Sequence, residues 1–398
     1  MYFTFTRPDL FGPMRTFGRG IAVAPENHLT EQRAVLLVKT SKEIILTARS
    51  RKGLKWYLAP VEMKGTHGLA LISAFFDDLD NPLAITTPLV PSDSLCSALA
   101  DLPDEFDVCF LDEHNREQLS CRASASLAYL RAKIRDLPVL CDPDSHMMID
   151  QAEQWFSIRT DSDDREAFPV LLGEELFPSD FVYFDLREDQ HAFHGSSGFS
   201  TSTLVRPEPG RYQEQDIVFL LQRVFSANEI IHGPIKPSDN EELVDVAVLG
   251  GEINLFLQAK DSPNTEAMIN RSMDRKRRVS LNQLVGGLSQ LGGAFSTALR
   301  APVQQLRLPS GESIQVDFSD TPMVGIVIVK ELFTDMYEEY SERALAFMDK
   351  HQVPVVFFDY PELEVLTRRC ETEAAFLSAC HAVFRFAVEN GEYPKLRF

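Results

Sequence analysis

The stretch LVDVAVLGGEINLFLQAKD holds three residues whose types and spacing can do chemistry together: Asp245, Gln258 and Lys260. Gly250-Gly251 between two apolar β-like runs is a hairpin signal, and such a turn folds Asp245 at the start of one strand and Lys260 at the end of its partner to the same edge. Side chains alternate along a strand, so Gln258 and Lys260 project from one face with Ala259 between them on the other. A carboxylate, an amide oxygen and an ammonium then converge on one point. A lysine closing so apolar a strand needs solvent or a partner charge. Glu214 supplies a second carboxylate: it precedes Ile217, Val218 and Leu221 by three, four and seven residues and so shares the apolar face of a helix. Two inward carboxylates repel unless a proton or cation lies between them, and hard oxygen ligands suit magnesium or manganese. The alternative for Glu214 is an ordinary first-turn glutamate favoured by the helix dipole, with Glu229 as its substitute in the site. For Asp245 and Lys260 the plain structural alternative is a strand-end cap and a solvated hairpin residue.

The elements that must position these groups follow from periodicity. Gln213–Phe225 carries a helical apolar stripe. The runs 229–235, 243–249 and 253–259 read as strands, and a long helix follows with Leu281, Leu284, Val285, Leu288, Leu291, Phe295 and Leu299 on one side. A small hairpin turning at Pro309–Gly311, a strand (324–329), a helix (335–350), a strand (353–358) and a helix (372–390) complete the chain. Strand, helix, strand in that order reads as a right-handed parallel crossover. The first 145 residues read as short strands at 34–39, 43–47, 69–75, 83–89 and 107–111, an α+β module rich in antiparallel sheet, and 144–155 reads as a helix. HGSSGFSTSTLVRPEPG (194–210) has linker composition. The expected architecture is therefore α/β with two domains, 1–200 and 201–398.

A helix with Glu214, a strand, a strand opening with Asp245, a strand ending in Gln258-Ala259-Lys260 and then a helix resembles the PD-(D/E)xK nuclease superfamily, with its αβββαβ restriction-endonuclease-like core. The resemblance covers residues 211–300 well, the rest of the second half loosely and the first half not at all. Val244 stands where the motif has proline, and Gln258 where it usually has an acid, as in the Mrr-like branch. The resemblance implies that Asp245, Gln258 and Glu214 bind Mg2+ or Mn2+, and that Lys260 positions or activates the attacking water. It implies DNA as substrate, in a setting of restriction or anti-phage defence, with a homodimer as a common arrangement. The rival expectation is a catalytically inactive scaffold of the same fold that binds a protein partner.

The chain's formal charge of −20 over 398 residues does not attract polyanions at long range. Neither half is basic, at −12 for residues 1–200 and −8 for 201–398. A nucleic-acid enzyme therefore needs a local patch, and Arg271, Arg275, Lys276, Arg277 and Arg278 form the densest basic cluster. Consecutive residues wrap a helical turn, so two or three of them reach one phosphate run; the alternative is a solvated helix face. Gln283 and Gln290, seven apart, share a helix face that can turn toward the site. The acidic first half is expected to be a recognition, regulatory or partner-binding module that restrains DNA binding until a cue arrives; in the scaffold reading its acidic surface contacts a basic protein partner.

Met1–Arg15 lacks a charged-then-apolar leader, which places the expected location in the cytoplasm. No apolar run approaches the roughly 20 residues of a membrane span. Cys96, Cys109, Cys121, Cys141, Cys370 and Cys380 contain no C-x-x-C pair and read as reduced, buried thiols. His191 and His194 do not define a zinc site. The pairs Gly286-Gly287 and Gly292-Gly293 lie within a helix, where they permit close packing or a kink. P-loop, H-E-x-x-H and G-x-S-x-G signatures are absent from the sequence.

Overall fold

The computed structural model describes residues 2–10, 12, 18–26, 33–140, 142–178, 181–208 and 210–396; Cys141 and part of the Met1–Arg15 stretch lie outside them. Helices and sheets are mixed throughout, an α/β protein. Two compact units result: Met1–Phe181 with Thr203–Val205 and Asn264–Asn270, and Val182–Ser202 with Arg206–Pro263 and Arg271–Phe398. The change of unit at 181/182 falls about twenty residues before the composition boundary. Residues 194–210 are more than a linker, because Ser200–Ser202 pairs with Tyr183–Asp185 in a two-stranded ribbon.

In the first unit, strands β1 (Gly20–Ala24), β2 (Val35–Lys39), β3 (Gly53–Met63), β4 (Thr66–Phe75), β5 (Leu83–Leu89), β6 (Glu105–Leu111), β7 (Glu117–Ser124) and β8 (Phe168–Glu175) form one sheet in the order β1-β2-β6-β7-β8-β3-β4-β5. Only the β2–β6 pair is parallel among the described pairings. Residues 43–47 correct the expected strand: they lie in helix α1 (Lys42–Arg51). Ser41 caps its N-terminus, its Oγ accepting from Ile44 N, and Lys52 closes it at φ 52°. A run of three apolar residues, Ile44–Leu46, fits either period, and the caps decide. Helix α2 (Ser145–Ser157) forms where expected, started by the Asp144 carboxylate accepting from His146 N and Met147 N.

The second unit holds helix α3 (Gly210–Leu221) and a ribbon-like pair β9 (Tyr183–Asp185) and β10 (Ser200–Ser202). Its main sheet comprises β11 (Ile230–His232), β12 (Val246–Leu249), β13 (Asn254–Lys260), β16 (Met323–Val329) and β17 (Val355–Asp359), hydrogen-bonded in that order. β11, β12 and β13 pair antiparallel, then β13, β16 and β17 parallel. Helix α4 (Met273–Arg300) crosses from β13 toward β16, interrupted only by the hairpin β14 (Val303–Arg307) and β15 (Ser313–Asp317). Helix α5 (Tyr337–His351) links β16 to β17, and helices α6 (Tyr360–Arg369) and α7 (Glu373–Asn390) close the chain. The order of helix and strand types from α3 to β16 is the one read from the sequence. Helix α6 was not expected, although Asp359-x-x-Glu362 with Pro361 is a capping box in plain sight.

Helix α4 packs through Leu284, Leu288, Leu291 and Phe295, all nearly inaccessible, whereas Val285 and Leu299 from the expected stripe are 41% and 62% exposed. Gly287 sets its approach to the sheet: a Cβ there would lie 2.5 Å from Val327 Cγ1. Gly293 faces open space. Gly293→Ala is thus expected to stabilise by about 0.5–1 kcal/mol through helix propensity. Gly287→Ala is expected to destabilise by roughly 1–3 kcal/mol through overpacking, and urea unfolding of the two variants checks both signs. The cysteines within the described residues, Cys96, Cys109, Cys121, Cys370 and Cys380, are free and buried. No helix among the described residues is long and apolar enough to cross a membrane.

Candidate functional site

The β12–β13 hairpin turns through Gly250–Ile253 and pairs Val246 with Leu257 and Leu249 with Asn254. Continuing that register sets Asp245 opposite Gln258, and residues opposite each other in an antiparallel pair share a face. Phe256 on the same face stacks on Phe295 of α4, ring centroids 5.4 Å apart, so Gln258 and Lys260 point to the side that α4 covers. The side chains of Asp245, Gln258 and Lys260 come together. Asp245 Oδ2 accepts from Ala259 N at 2.7 Å and lies 4.0 Å from Lys260 Nζ.

The Gln258 amide has two settings. With its oxygen turned in, it accepts from Lys260 Nζ at 3.3 Å. With its nitrogen turned in, it donates to Asp245 Oδ2 (3.0 Å) and Oδ1 (3.2 Å) and to Gln290 Oε1 (2.8 Å). Hydrogen bonding favours the second setting when nothing else is bound. The oxygen setting brings the Asp245, Gln258 and Gln290 oxygens to roughly 3 Å from one another, the spacing of neighbouring ligands around a small hard cation. Among the described residues no group of three His, Cys, Asp or Glu gathers as a metal site. Any ion here therefore relies on fewer than three such ligands and draws on amide and water oxygens as well, a set that leaves it largely hydrated.

Glu214 goes elsewhere. Its Oε2 meets His232 Nε2 at 3.0 Å, at the end of β11 where His232 pairs with Val246. Its charge is still felt: Asp245 is pushed up to about 6, chiefly by burial and further by Glu214, with Lys260 and the Ala259 N–H pulling it back. Glu242 rises to about 7 through burial, Asp245 and Glu214. His232 and Glu242 are thus members of the charged cluster that the sequence reading missed. Glu242 lies only three residues before Asp245, and His232 ends the strand ahead of it, so both were visible as polar residues beside apolar runs. Glu229 is no substitute for Glu214, since its carboxylate accepts from Ser226 N in a capping box.

The remaining residues separate along α4. Gln283 donates to Ser262 Oγ at 2.8 Å and Gln290 reaches Gln258, so the seven-residue spacing does put both at this end of the sheet. Arg277 is engaged by Asp335 (2.8 Å) and Asp274 (3.4 Å), and Lys276 is buried. Arg275 and Arg278 are exposed and Arg271 half-buried, which leaves fewer cations for phosphates than the cluster's composition suggests. His191 is buried with Nε2 on the Asp185 carbonyl oxygen at 3.0 Å, a structural role.

The chain matches no family model, no curated protein and no solved structure. The geometry at the end of β13 is therefore the ground for a functional reading.

Proposed function

We propose that the second unit is a Mg2+- or Mn2+-dependent nuclease of the PD-(D/E)xK type acting on DNA. The observation that carries this reading is the convergence of Asp245, Gln258, Gln290 and Lys260 at the end of the central strand of a mixed sheet with the αβββαβ order. Asp245, Gln258 and Gln290 would hold the ion, and a bound divalent ion polarises the phosphoryl oxygen and acidifies water. Lys260 then orients the attacking water or takes its proton, and its ammonium offsets charge growing on the phosphate. Arg275 and Arg278 offer backbone phosphates a foothold.

The test is incubation of the full chain with supercoiled, linear and single-stranded DNA and with RNA, in Mg2+, Mn2+ or EDTA. Cutting that EDTA and Asp245→Ala both abolish is the expected result. A wild type that neither cuts nor binds Mn2+ better than Asp245→Ala overturns it. The scaffold reading has its own support in the lack, among the described residues, of three gathered His, Cys, Asp or Glu and in the turn of Glu214 to His232; Mn2+ binding without cleavage of any substrate would favour it.

Proton and cation compete for Asp245, so Mn2+ affinity is expected to rise with pH through about 6 and level off above it. Stability runs the other way without metal. The folded state holds the Asp245 proton more tightly than the unfolded chain, so this contribution is complete below about pH 4 and is lost as pH rises through about 6. Unfolding midpoints from pH 4 to 8, with and without Mn2+, check both signs.

A further inference from the structure

In the first unit, β3 outruns its neighbour β8. The two pair only over Gly53–Trp56, while the pairing of β3 with β4 continues to Met63. Lys52 turns its carbonyl oxygen to Leu172 N on the β8 side. Antiparallel backbone alternates residue by residue, so Leu54, Trp56, Leu58 and Pro60 face that side in turn. Beyond Trp56 no strand is left to pair with Leu58 and Pro60, and both line a cleft of about 340 Å³. The walls of this cleft are aromatic: Tyr57 from β3, Phe168 from β8, Trp155 from α2 and Tyr129 from the helix Ala128–Arg135. Tyr129 is 57% exposed and stacks on Phe168, ring centroids 6.0 Å apart, so the cleft opens to solvent beside a supported ring.

Two carboxylates and one ammonium belong to the same lining, Asp163, Glu166 and Lys133. Asp163 Oδ2 accepts from Thr160 N and Oγ1, both at 2.7 Å, and Glu166 is exposed. Lys133 Nζ lies over the Tyr129 ring, 5.2 Å from its centroid. The chain's own cation thus already uses one aromatic wall. Aromatic faces, carboxylates and strand-edge carbonyl oxygens all attract one kind of guest, a flat cation with several N–H donors. A phosphate-bearing guest would meet two carboxylates with one ammonium to hold it.

We propose that this cleft binds an arginine side chain of a basic partner protein, its guanidinium against the aromatic walls with Asp163 and Glu166 as counter-charges. The −12 charge of residues 1–200 draws such a partner in. Nothing in this inference depends on the nuclease reading of the second unit.

Of the two tryptophans, Trp56 is inaccessible and Trp155 is half-buried in the cleft, so a change in emission reports on Trp155. The full chain is titrated with hexaarginine, with hexacitrulline, which keeps the shape without the charge, and with a thymidine hexanucleotide. Calorimetry gives the affinities and emission the place of binding. Hexaarginine is expected to bind and to change the emission, and hexacitrulline to do neither. Tyr129→Ala and Glu166→Gln, both at exposed positions, should each weaken hexaarginine binding by about three- to tenfold, the size of a cation–π contact or a charged hydrogen bond. Lys133→Ala should tighten it, because a like charge leaves the ring. Glu389→Gln, at an exposed carboxylate of the second unit, should bind as wild type does. Absence of hexaarginine binding overturns the proposal, as does equal weakening by Glu389→Gln and Glu166→Gln, which would mean attraction to net charge alone. Weaker hexaarginine binding by Lys133→Ala, or a Trp155 response to the hexanucleotide that Lys133→Ala abolishes, overturns it in favour of a nucleotide site.

Discussion

Lys260→Ala is expected to lower metal-dependent phosphodiester cleavage by roughly 10²–10³-fold, the size of losing one well-placed group that answers transition-state charge, while leaving the fold intact and Mn2+ binding unchanged well above the Asp245 midpoint. Lys260 Nζ is partly exposed and 4.0 Å from Asp245 Oδ2, which in the alanine variant keeps the Ala259 N–H and can take up a proton. Its ammonium also holds the Asp245 carboxyl down against burial. Removing it should therefore move the pH midpoint of Mn2+ binding upward from about 6, a shift that cleavage rates alone would not reveal. A variant that cuts at the wild-type rate would mean that the attacking water does not depend on Lys260. A variant with the wild-type midpoint would mean that the lysine does not act on Asp245.

Asp112→Ala should be strongly destabilising, at about 3–5 kcal/mol, because it removes an inaccessible carboxylate on which buried cations and N–H donors converge. Asp112 is inaccessible and accepts from Arg116 Nε (2.7 Å), Gln118 Nε2 (2.8 Å) and the backbone N–H groups of His114 and Arg116. Lys42 Nζ is 3.3 Å away, and both cations are about 5% exposed. The exposed Arg385–Glu389 pair provides the contrast, since its two side chains are about 65% exposed and Glu389→Ala should change stability by less than about 0.5 kcal/mol. Chemical unfolding of both variants tests the ranking. Equal effects would show that the Asp112 network relaxes or admits water.

The site was legible where two periodicities met. The period-2 pattern around Gly250-Gly251 paired Asp245 with Gln258 and sent Lys260 to the same face, and the 3.6-residue stripe of α4 put Gln283 and Gln290 in reach. Glu214 shows the limit of such reading. A helical stripe says which way a side chain points but not which neighbour takes its hydrogen bond, and His232, close in space across the loop after α3, took it. The basic run failed similarly: consecutive residues on a helix diverge by about 100° each, so Arg277 met Asp335 and Lys276 went inward. The strand expected at 43–47 was lost because three apolar residues, Ile44–Leu46, carry no decisive period, and Ser41 and Lys52 outweighed β propensity. The two late segments of the first unit, Thr203–Val205 and Asn264–Asn270, were illegible because Leu204 and Ile269 are lone apolar residues amid polar ones, and only tertiary structure says which core they enter.

Those segments also bear on how the protein is made. When residue 200 has left the ribosome, the first unit still lacks Leu204, Asn264 and Ile269. Strict N-to-C folding of one unit and then the next, the usual course for multidomain chains, is closed to this one. The first core can finish only after the hairpin bearing Asp245 and Lys260 has been synthesised, so the nascent chain carries its candidate active strand before its N-terminal half is complete. Fragments cut at the composition boundary should accordingly be poor folders, and the natural unit of expression is the whole chain.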